Sequence, residues 1–248
     1  MSLTYEICID SVEGAVAAEE AGAQRVELCA GLFEGGITPS LGMITRVRET
    51  VGSIKIHVII RPRGGDFIYS EHEVAVMERD VAAARDAGAH GVVIGALTAE
   101  GRVDRPTTAR LMRAAGDLPI TFHRAFDMTR DPFAALEDLV ALGVARVLTS
   151  GQDSSALEGA PLIARLVARA GDRIIVMPGG GISARNIARI LEITCAREVH
   201  FAALIHQDSP ATHRNPDPFM GGALRPPEYA RTVTSAEAIA EIIAAAHP

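Results

Sequence analysis

Carboxylate and thiol side chains recur at a two-residue spacing in two short, apolar segments near the start of this chain. Glu6 and Cys8 stand in YEICI, and Glu27 and Cys29 repeat the spacing in RVELC. Because successive side chains of a β-strand point to opposite faces, each carboxylate shares a face with its thiol. Paired thiolates are soft ligands that select copper(I), whereas carboxylates close to histidines and arginines suit catalysis in a cleft.

The segment Pro119–Asp127, PITFHRAFD, places a histidine and an arginine at the end of another strand. Its first half is β-branched and aromatic, and a helix is predicted to begin at Asp131. The polar residues therefore follow the C-terminal end of the strand. Ligands of parallel α/β proteins bind at that end, which makes His123 and Arg124 candidates for a functional site.

Sequence patterns typical of strands alternate with patterns typical of helices along the whole chain. The predicted strands and helices must position these side chains. Eight strands are predicted, at 5–9, 25–29, 55–60, 91–95, 119–123, 146–150, 173–177 and 198–202. Eight βα units in 248 residues predict one α/β domain over 1–248, a (β/α)8 TIM barrel. A doubly wound open sheet is the alternative. The proline-rich segment 203–234 is predicted to be a long surface loop or a lid over the site.

Further polar side chains are predicted to point into the interior of the barrel. Strand alternation predicts an inward direction for His57, Arg61, Thr121, Thr149 and His200. Taken singly, each is explained as a satisfied core residue. Together they contrast with the branched apolar filling of most barrels, and buried charges accumulate mainly where chemistry needs them. We therefore predict five catalytic residues in one pocket at the C-terminal mouth: Glu6, Glu27, Arg61, His123 and Arg124.

Three consecutive glycines, Gly179, Gly180 and Gly181, follow the seventh predicted strand. Without Cβ atoms, their backbone N–H groups can turn toward an anion, and a helix predicted over 183–193 adds the positive end of its dipole. Barrels commonly bind phosphate in the loops after strands seven and eight. These glycines are therefore predicted to bind a phosphate or carboxylate group. A tight turn with nothing bound is the alternative.

Composition excludes several classes of partner. A net charge of −7 without a dense run of Lys or Arg argues against nucleic acid and anionic membranes. Nothing resembles a signal peptide, and no apolar run reaches the roughly 18 residues of a membrane span. Three cysteines, Cys8, Cys29 and Cys195, do not form a disulfide framework, so a reducing cytoplasm is expected.

Seven motifs carry a resemblance to a known family. They are EICIDS (6–11), RVELCA (25–30), GGITPS (35–40), IIRPRGGDFIYS (59–70), TFHRAFD (121–127), RVLTSG (146–151) and GGGISARNI (179–187). In this order they resemble the CutC family, which is named for copper homeostasis. The resemblance implies a TIM barrel, a homodimer or higher homo-oligomer, and copper(I) binding by Cys8 and Cys29. The chain departs from the family pattern at Phe201 and Ala202, where small or hydroxyl residues are usual.

Two classes of function follow. The first is a cytoplasmic copper homeostasis protein of the CutC type that binds copper(I) at the barrel mouth. The second is a TIM-barrel enzyme of unassigned reaction that acts on a small anionic metabolite, phosphorylated or carboxylated. The expected partner is accordingly a copper ion or a small anion. At the thiol pair itself, two packed core thiols without a metal are the alternative.

Overall fold

Eight parallel strands form the wall of a barrel in the computed structural model, which describes residues 3–215, 217 and 230–246. They are β1 Thr4–Ile9, β2 Arg25–Leu28, β3 Lys55–Ile59, β4 Gly91–Ile94, β5 Ile120–Phe122, β6 Arg146–Thr149, β7 Ile175–Pro178 and β8 Glu198–Phe201. Their order is β7-β6-β5-β4-β3-β2-β1-β8, and a parallel bridge between Gly179 and His200 brings β7 beside β8. The sheet is nearly closed, which confirms the predicted (β/α)8 TIM barrel.

Helices on the outside connect the strands within the described residues. They are α1 Val12–Glu20, α2 Leu41–Thr50, α3 Glu71–Asp86, α4 Arg105–Ala115, α5 Pro132–Leu142, α6 Ala160–Ala170, α7 Ile187–Thr194 and α8 Ala236–Ala245. Helix α5 starts at Pro132, as the Asp131-Pro132 signal predicts, and the Asp131 carboxylate caps it by accepting hydrogen bonds from two backbone N–H groups. Gly143 ends this helix at a φ of 79°, which glycine adopts without Cβ strain. In the described ranges, none of the helices has both the length and the apolar character required to cross a membrane.

The main hydrophobic core lies between the strands and the helices. Its large, fully buried side chains include Ile7, Leu28, Phe122, Phe126 and Leu136. A much smaller cluster consists of Cys29, Ile59 and Val93, with Cys8 and Leu32 packed against it. Its strand residues alternate with those of the main core, so they face the barrel interior. Beside this small cluster the interior holds charged and polar side chains.

A buried ion network, which the sequence pattern did not predict, occupies the N-terminal end of the barrel interior. Arg25, the first residue of β2, donates to the carboxylates of Glu6 and Glu198. Arg146, the first residue of β6, donates to Glu198 at 3.1 Å. Each of the four is at most 8% exposed. Two guanidinium groups and two carboxylates neutralise one another, and this pairing makes their burial tolerable.

Strand β6 turns a different face inward from the one that was predicted. Arg146 reaches Glu198 inside the barrel, so alternation places Leu148 on the inner face and Thr149 on the outer one. The Thr149 hydroxyl donates to Asp127, in the turn that follows β5. The inward direction predicted for Thr149 is therefore wrong.

The segment predicted as a loop or lid, 203–234, begins and ends in strands. Strand β9, Leu204–Asp208, pairs antiparallel with β10, Ala230–Thr234. Ser235 follows β10 directly and caps α8. Positions 216 and 218–229, the middle of the segment, lie outside the described residues. Closure of this segment over the barrel stays a prediction.

Candidate metal site at the barrel mouth

Two cysteine sulfurs meet where β1 and β2 reach the C-terminal mouth. The strand register sets Cys8 opposite Glu27, and Cys29 lies two residues further along. The two Sγ atoms are 3.8 Å apart, and Cys29 Sγ is 3.5 Å from Oε2 of Glu27. One ligand atom from each of these three residues lies within 4.8 Å of the others. Cys29 is buried and Cys8 is half-buried, so the group is reached from the side of Cys8.

His200 of β8 completes the surroundings of the thiols. Its Nδ1 is 2.8 Å from Oε1 of Glu6, and its Nε2 is 3.7 Å from Oε2 of Glu27. The other oxygen of Glu6 accepts from Arg25 and lies 3.9 Å from Nδ1 of His57. Glu6 therefore connects the ion network at the N-terminal end with the histidine beside the thiols.

The close packing of these groups shifts their proton affinities in opposite directions. The hydrogen bond from Cys29 lowers the pKa of Cys8 to about 5, with further help from His200 and against the effect of burial. The same thiol contact, together with burial, raises the pKa of Cys29 well above its ordinary value. At neutral pH the pair consists of a Cys8 thiolate and a Cys29 thiol that donates to it.

The acid and the imidazole beside the thiols are shifted as well. Burial raises the pKa of Glu27 to about 8, although the charge of His200 opposes this. Burial would lower the pKa of His200, but its contacts with Cys8, Glu6 and Glu27 outweigh burial and raise it well above the ordinary value. The Cys8 thiolate is therefore compensated by an imidazolium, and Glu27 can take up or release a proton near neutral pH.

The donor set fits a soft monovalent metal. Two thiolates on one ion, each at the roughly 2.3 Å of a metal–thiolate bond, are at most about 4.6 Å apart. The separation of 3.8 Å between the sulfurs lies within that limit. Thiolate sulfur selects copper(I), whereas harder cations prefer oxygen ligands. Cys8 and Cys29 are thus the residues that fit copper(I), with Glu27 close enough to act as a third ligand.

The five residues predicted as catalytic fall into three sets of contacts. Glu6 and Glu27 belong to the group around the thiols. Arg61 and His123 both contact Phe67: the ring centroid of Phe67 is 5.1 Å from Cζ of Arg61 and 5.1 Å from the ring centroid of His123. Arg124 donates to Asp127 at 2.8 Å and to Ser150 at 2.7 Å. A 3-10 turn over Arg124–Met128 follows β5, and within it the Arg124 side chain is directed toward Asp127 and Ser150.

The loop of Gly179, Gly180 and Gly181 is partly closed by its own neighbours. Asn186 accepts from the N–H of Ser183 and donates to the carbonyl of Gly181. Helix α7 begins at Ile187, four residues later than the start predicted at 183, so its N-terminus is further from the glycines. Arg124 is close by, since a Cβ at Gly180 would lie 3.4 Å from its Cζ. Anion binding at these glycines stays a prediction.

Comparison with known proteins agrees with this geometry. The family model described as the CutC family matches residues 3–205. The copper homeostasis protein cutC homolog of Homo sapiens is 54% identical over 92% of this chain and 84% of its own length. A family protein CutC of Mesorhizobium japonicum is 52% identical over 97% of this chain and 93% of its own. The crystal structure of a copper homeostasis protein CutC from Streptococcus agalactiae superimposes with a TM-score of 0.76 at 34% identity, covering 80% of this chain and 98% of that one. The chain belongs to the CutC family.

Proposed function

We propose that this chain is a copper homeostasis protein that binds one copper(I) ion between Cys8 and Cys29. The observation that carries the proposal is the approach of the two sulfurs to 3.8 Å at the mouth of the barrel. The names of the human and streptococcal relatives, which refer to copper homeostasis, support the same conclusion.

Binding a metal at this site requires one proton to leave. Cys8 is already a thiolate, whereas Cys29 carries the proton that a copper(I) ion would displace. Oε2 of Glu27 is 3.5 Å from Cys29 Sγ, but its raised pKa of about 8 leaves most of this acid protonated at neutral pH, so the displaced proton leaves to solvent. His200 keeps its positive charge beside Cys8 and limits the negative charge of the thiols.

The same proposal includes a reducing compartment and self-association. In the described part of the chain, the three cysteines are free thiols, as copper(I) binding requires. We place the protein in the cytoplasm on this ground. Assembly into a homodimer or higher oligomer follows from the family resemblance and is tested by light scattering.

A second candidate function is an enzyme that acts on a small anionic metabolite. One observation favours it: Glu27, with its pKa near 8, lies beside His200 in the interior of a barrel whose mouth is the usual catalytic end. An enzyme of this kind would keep its activity when both cysteines are removed. Copper binding would not survive that change, so the two functions are separable.

The decisive experiment is a titration of the reduced protein with copper(I) against a competing chelator. We expect one ion per chain. The affinity should fall by more than about a hundredfold in Cys8→Ser and in Cys29→Ser, because each variant lacks one of the two thiolate ligands. Cys195→Ser is the matched control, since Cys195 is exposed and far along the chain at the end of α7. Equal affinity of the wild type and both mouth variants would refute the proposal.

A further inference from the structure

Three buried hydrogen-bonding atoms on the β3–β5 side of the mouth have no partner among the described residues. They are Nε of Arg61, Nε2 of His123 and the hydroxyl oxygen of Tyr69. Arg61 is 6% exposed and His123 is 4% exposed, so bulk water does not compensate them. Buried polar groups are nearly always paired, and an unpaired set in one place indicates a missing ligand.

Arg61 carries a buried charge that no acid neutralises in the described part of the chain. Its Nη1 donates to the carbonyls of Glu34 and Gly36, and its Nη2 donates to the carbonyl of Gly65. Three of its five N–H donors are used in this way, which leaves Nε–H and one Nη2–H. The Glu34 carboxylate is packed against Gly64 instead of the guanidinium. Carbonyl groups fix the orientation of Arg61 without cancelling its charge.

His123 is held as a neutral donor. Its Nδ1 accepts from the N–H of Ala125 at 3.1 Å, so the ring proton is on Nε2. Burial, reinforced by the nearby charge of Arg61, lowers the pKa of His123 to about 3. Gly95, directly after β4, provides the space for the ring, because a Cβ there would lie 2.4 Å from Cε1 of His123. The imidazole therefore presents a fixed N–H group at neutral pH.

Phe67 brings these donors into one place. Its ring centroid is 5.1 Å from Cζ of Arg61 and 5.1 Å from the ring centroid of His123. Tyr69 follows two residues later, and the Arg61 charge acts on its hydroxyl. The group offers three N–H donors, a hydroxyl and an uncompensated positive charge, which is the chemistry that recognises an anion.

We propose that Arg61, His123 and Tyr69 form a binding site for a small oxyanion, the carboxylate or phosphate of a metabolite. The site belongs to the loop after β3 and the end of β5, whereas the thiol pair belongs to β1 and β2. Arg124 and the glycines after β7 lie in a third place and do not contribute. The site therefore stands independently of copper(I) binding.

The test is a titration of the full chain with inorganic phosphate and, separately, with malonate, at constant ionic strength. Binding is followed by the nitrogen–proton NMR signal of His123 Nε2 and by thermal stabilisation. His123→Asn is the informative variant, because asparagine still caps the N–H of Ala125 but lacks the Nε2 donor. We expect saturable binding to the wild type and an affinity at least about tenfold weaker in His123→Asn. The anion that binds more tightly identifies the source as phosphate or carboxylate.

Three further variants separate this site from its neighbours. Arg130→Gln removes an exposed positive charge and controls for net charge. Cys29→Ser removes one of the two proposed copper ligands and should leave anion binding unchanged. Arg124→Gln separates this site from the glycine loop. The proposal is overturned if the wild type shows no saturable binding, if His123→Asn binds as well as the wild type, or if binding is lost in Arg124→Gln while the His123 signal stays unmoved.

Discussion

Glu6 and His200 are 194 residues apart in the chain, yet Oε1 of Glu6 lies 2.8 Å from Nδ1 of His200 inside the barrel. The contact forms because β1 pairs directly with β8 in a register that sets the two residues opposite each other. One carboxylate thereby orients the imidazole that lies beside the candidate copper ligands. It also places part of the charge of the buried ion network next to the thiols.

Replacing Glu6 by Gln should lower the pKa of His200. The amide keeps the shape of the side chain but removes the negative charge that stabilises the imidazolium. The measurement is an NMR titration of the His200 ring between pH 5 and 9. We also expect weaker copper(I) binding, since the pKa of Cys8 rises when the imidazolium is lost and a proton then competes better with the metal. An unchanged His200 titration would contradict the coupling.

Replacing Arg25 by Met should destabilise the protein strongly. Both Glu6 and Glu198 then lose a buried guanidinium partner, and an uncompensated buried charge costs about 3–5 kcal/mol. The free energy of unfolding in urea measures the loss. Arg197→Ala is the comparison, because Arg197 pairs with Asp172 at an exposed position and should change stability by less than about 1 kcal/mol. Similar effects of the two substitutions would argue against a buried network.

Glu19 should make the stability of the barrel depend on pH. Its carboxylate accepts from the backbone N–H groups of Ser53, Ile54 and Gly52, which lower its pKa from 4.5 to about 2. A folded pKa below the unfolded one contributes stability that is fully present above about pH 4.5 and is lost as the pH falls toward 2.

The check is the unfolding free energy of the wild type and of Glu19→Gln between pH 2 and 6. The variant should be less stable by on the order of 1–2 kcal/mol at pH 6, and the difference should shrink as the pH falls. Glu20→Gln, at the exposed neighbouring position, serves as the control. A difference that stays constant with pH would show that the ionised carboxylate is not responsible.

Gly95→Ala should disturb His123 and destabilise the protein by about 1–3 kcal/mol, the usual cost of overpacking. The added Cβ would lie 2.4 Å from Cε1 of His123, which cannot move freely because its Nδ1 caps the turn after β5. Gly42→Ala in α2 is the matched control, and it should change the stability in the opposite direction. Its Cβ meets nothing closer than 3.9 Å, and alanine in a helix should stabilise by up to about 1 kcal/mol. Equal effects at both positions would contradict the packing of His123.

Strand alternation was enough to predict most of the barrel interior. It succeeded where a strand carries a repeated polar–apolar pattern, as at Glu6 with Cys8 and at Glu27 with Cys29. It missed the ion network, because a charged first residue of a strand usually faces solvent. The signal was nonetheless available: counting two residues back from Glu27 and from His200 reaches Arg25 and Glu198.

Other features depend on tertiary contacts that no local pattern encodes. The direction of Arg124 follows from the turn after β5 and from hydrogen bonds to Asp127, three residues later, and to Ser150, which is 26 residues away in the sequence. The departure from the family pattern at Phe201 also has little effect inside the barrel. Phe201 packs against Tyr5 in the outer core, while the neighbouring His200 supplies the inner polar contact.

The pairing of β1 with both β2 and β8 implies an order of assembly. Cys8 and Cys29 are 21 residues apart and come together by closing a short loop, whereas Glu6 meets His200 only when the last strand is in place. Short loops close at a lower entropic cost than long ones. During synthesis we therefore expect the two sulfurs to meet long before the imidazole and Glu198 arrive. Until β8 docks, the parallel β1–α1–β2 unit holds the two sulfurs with no cation beside Cys8, and completion of the barrel then sets the final charge around them.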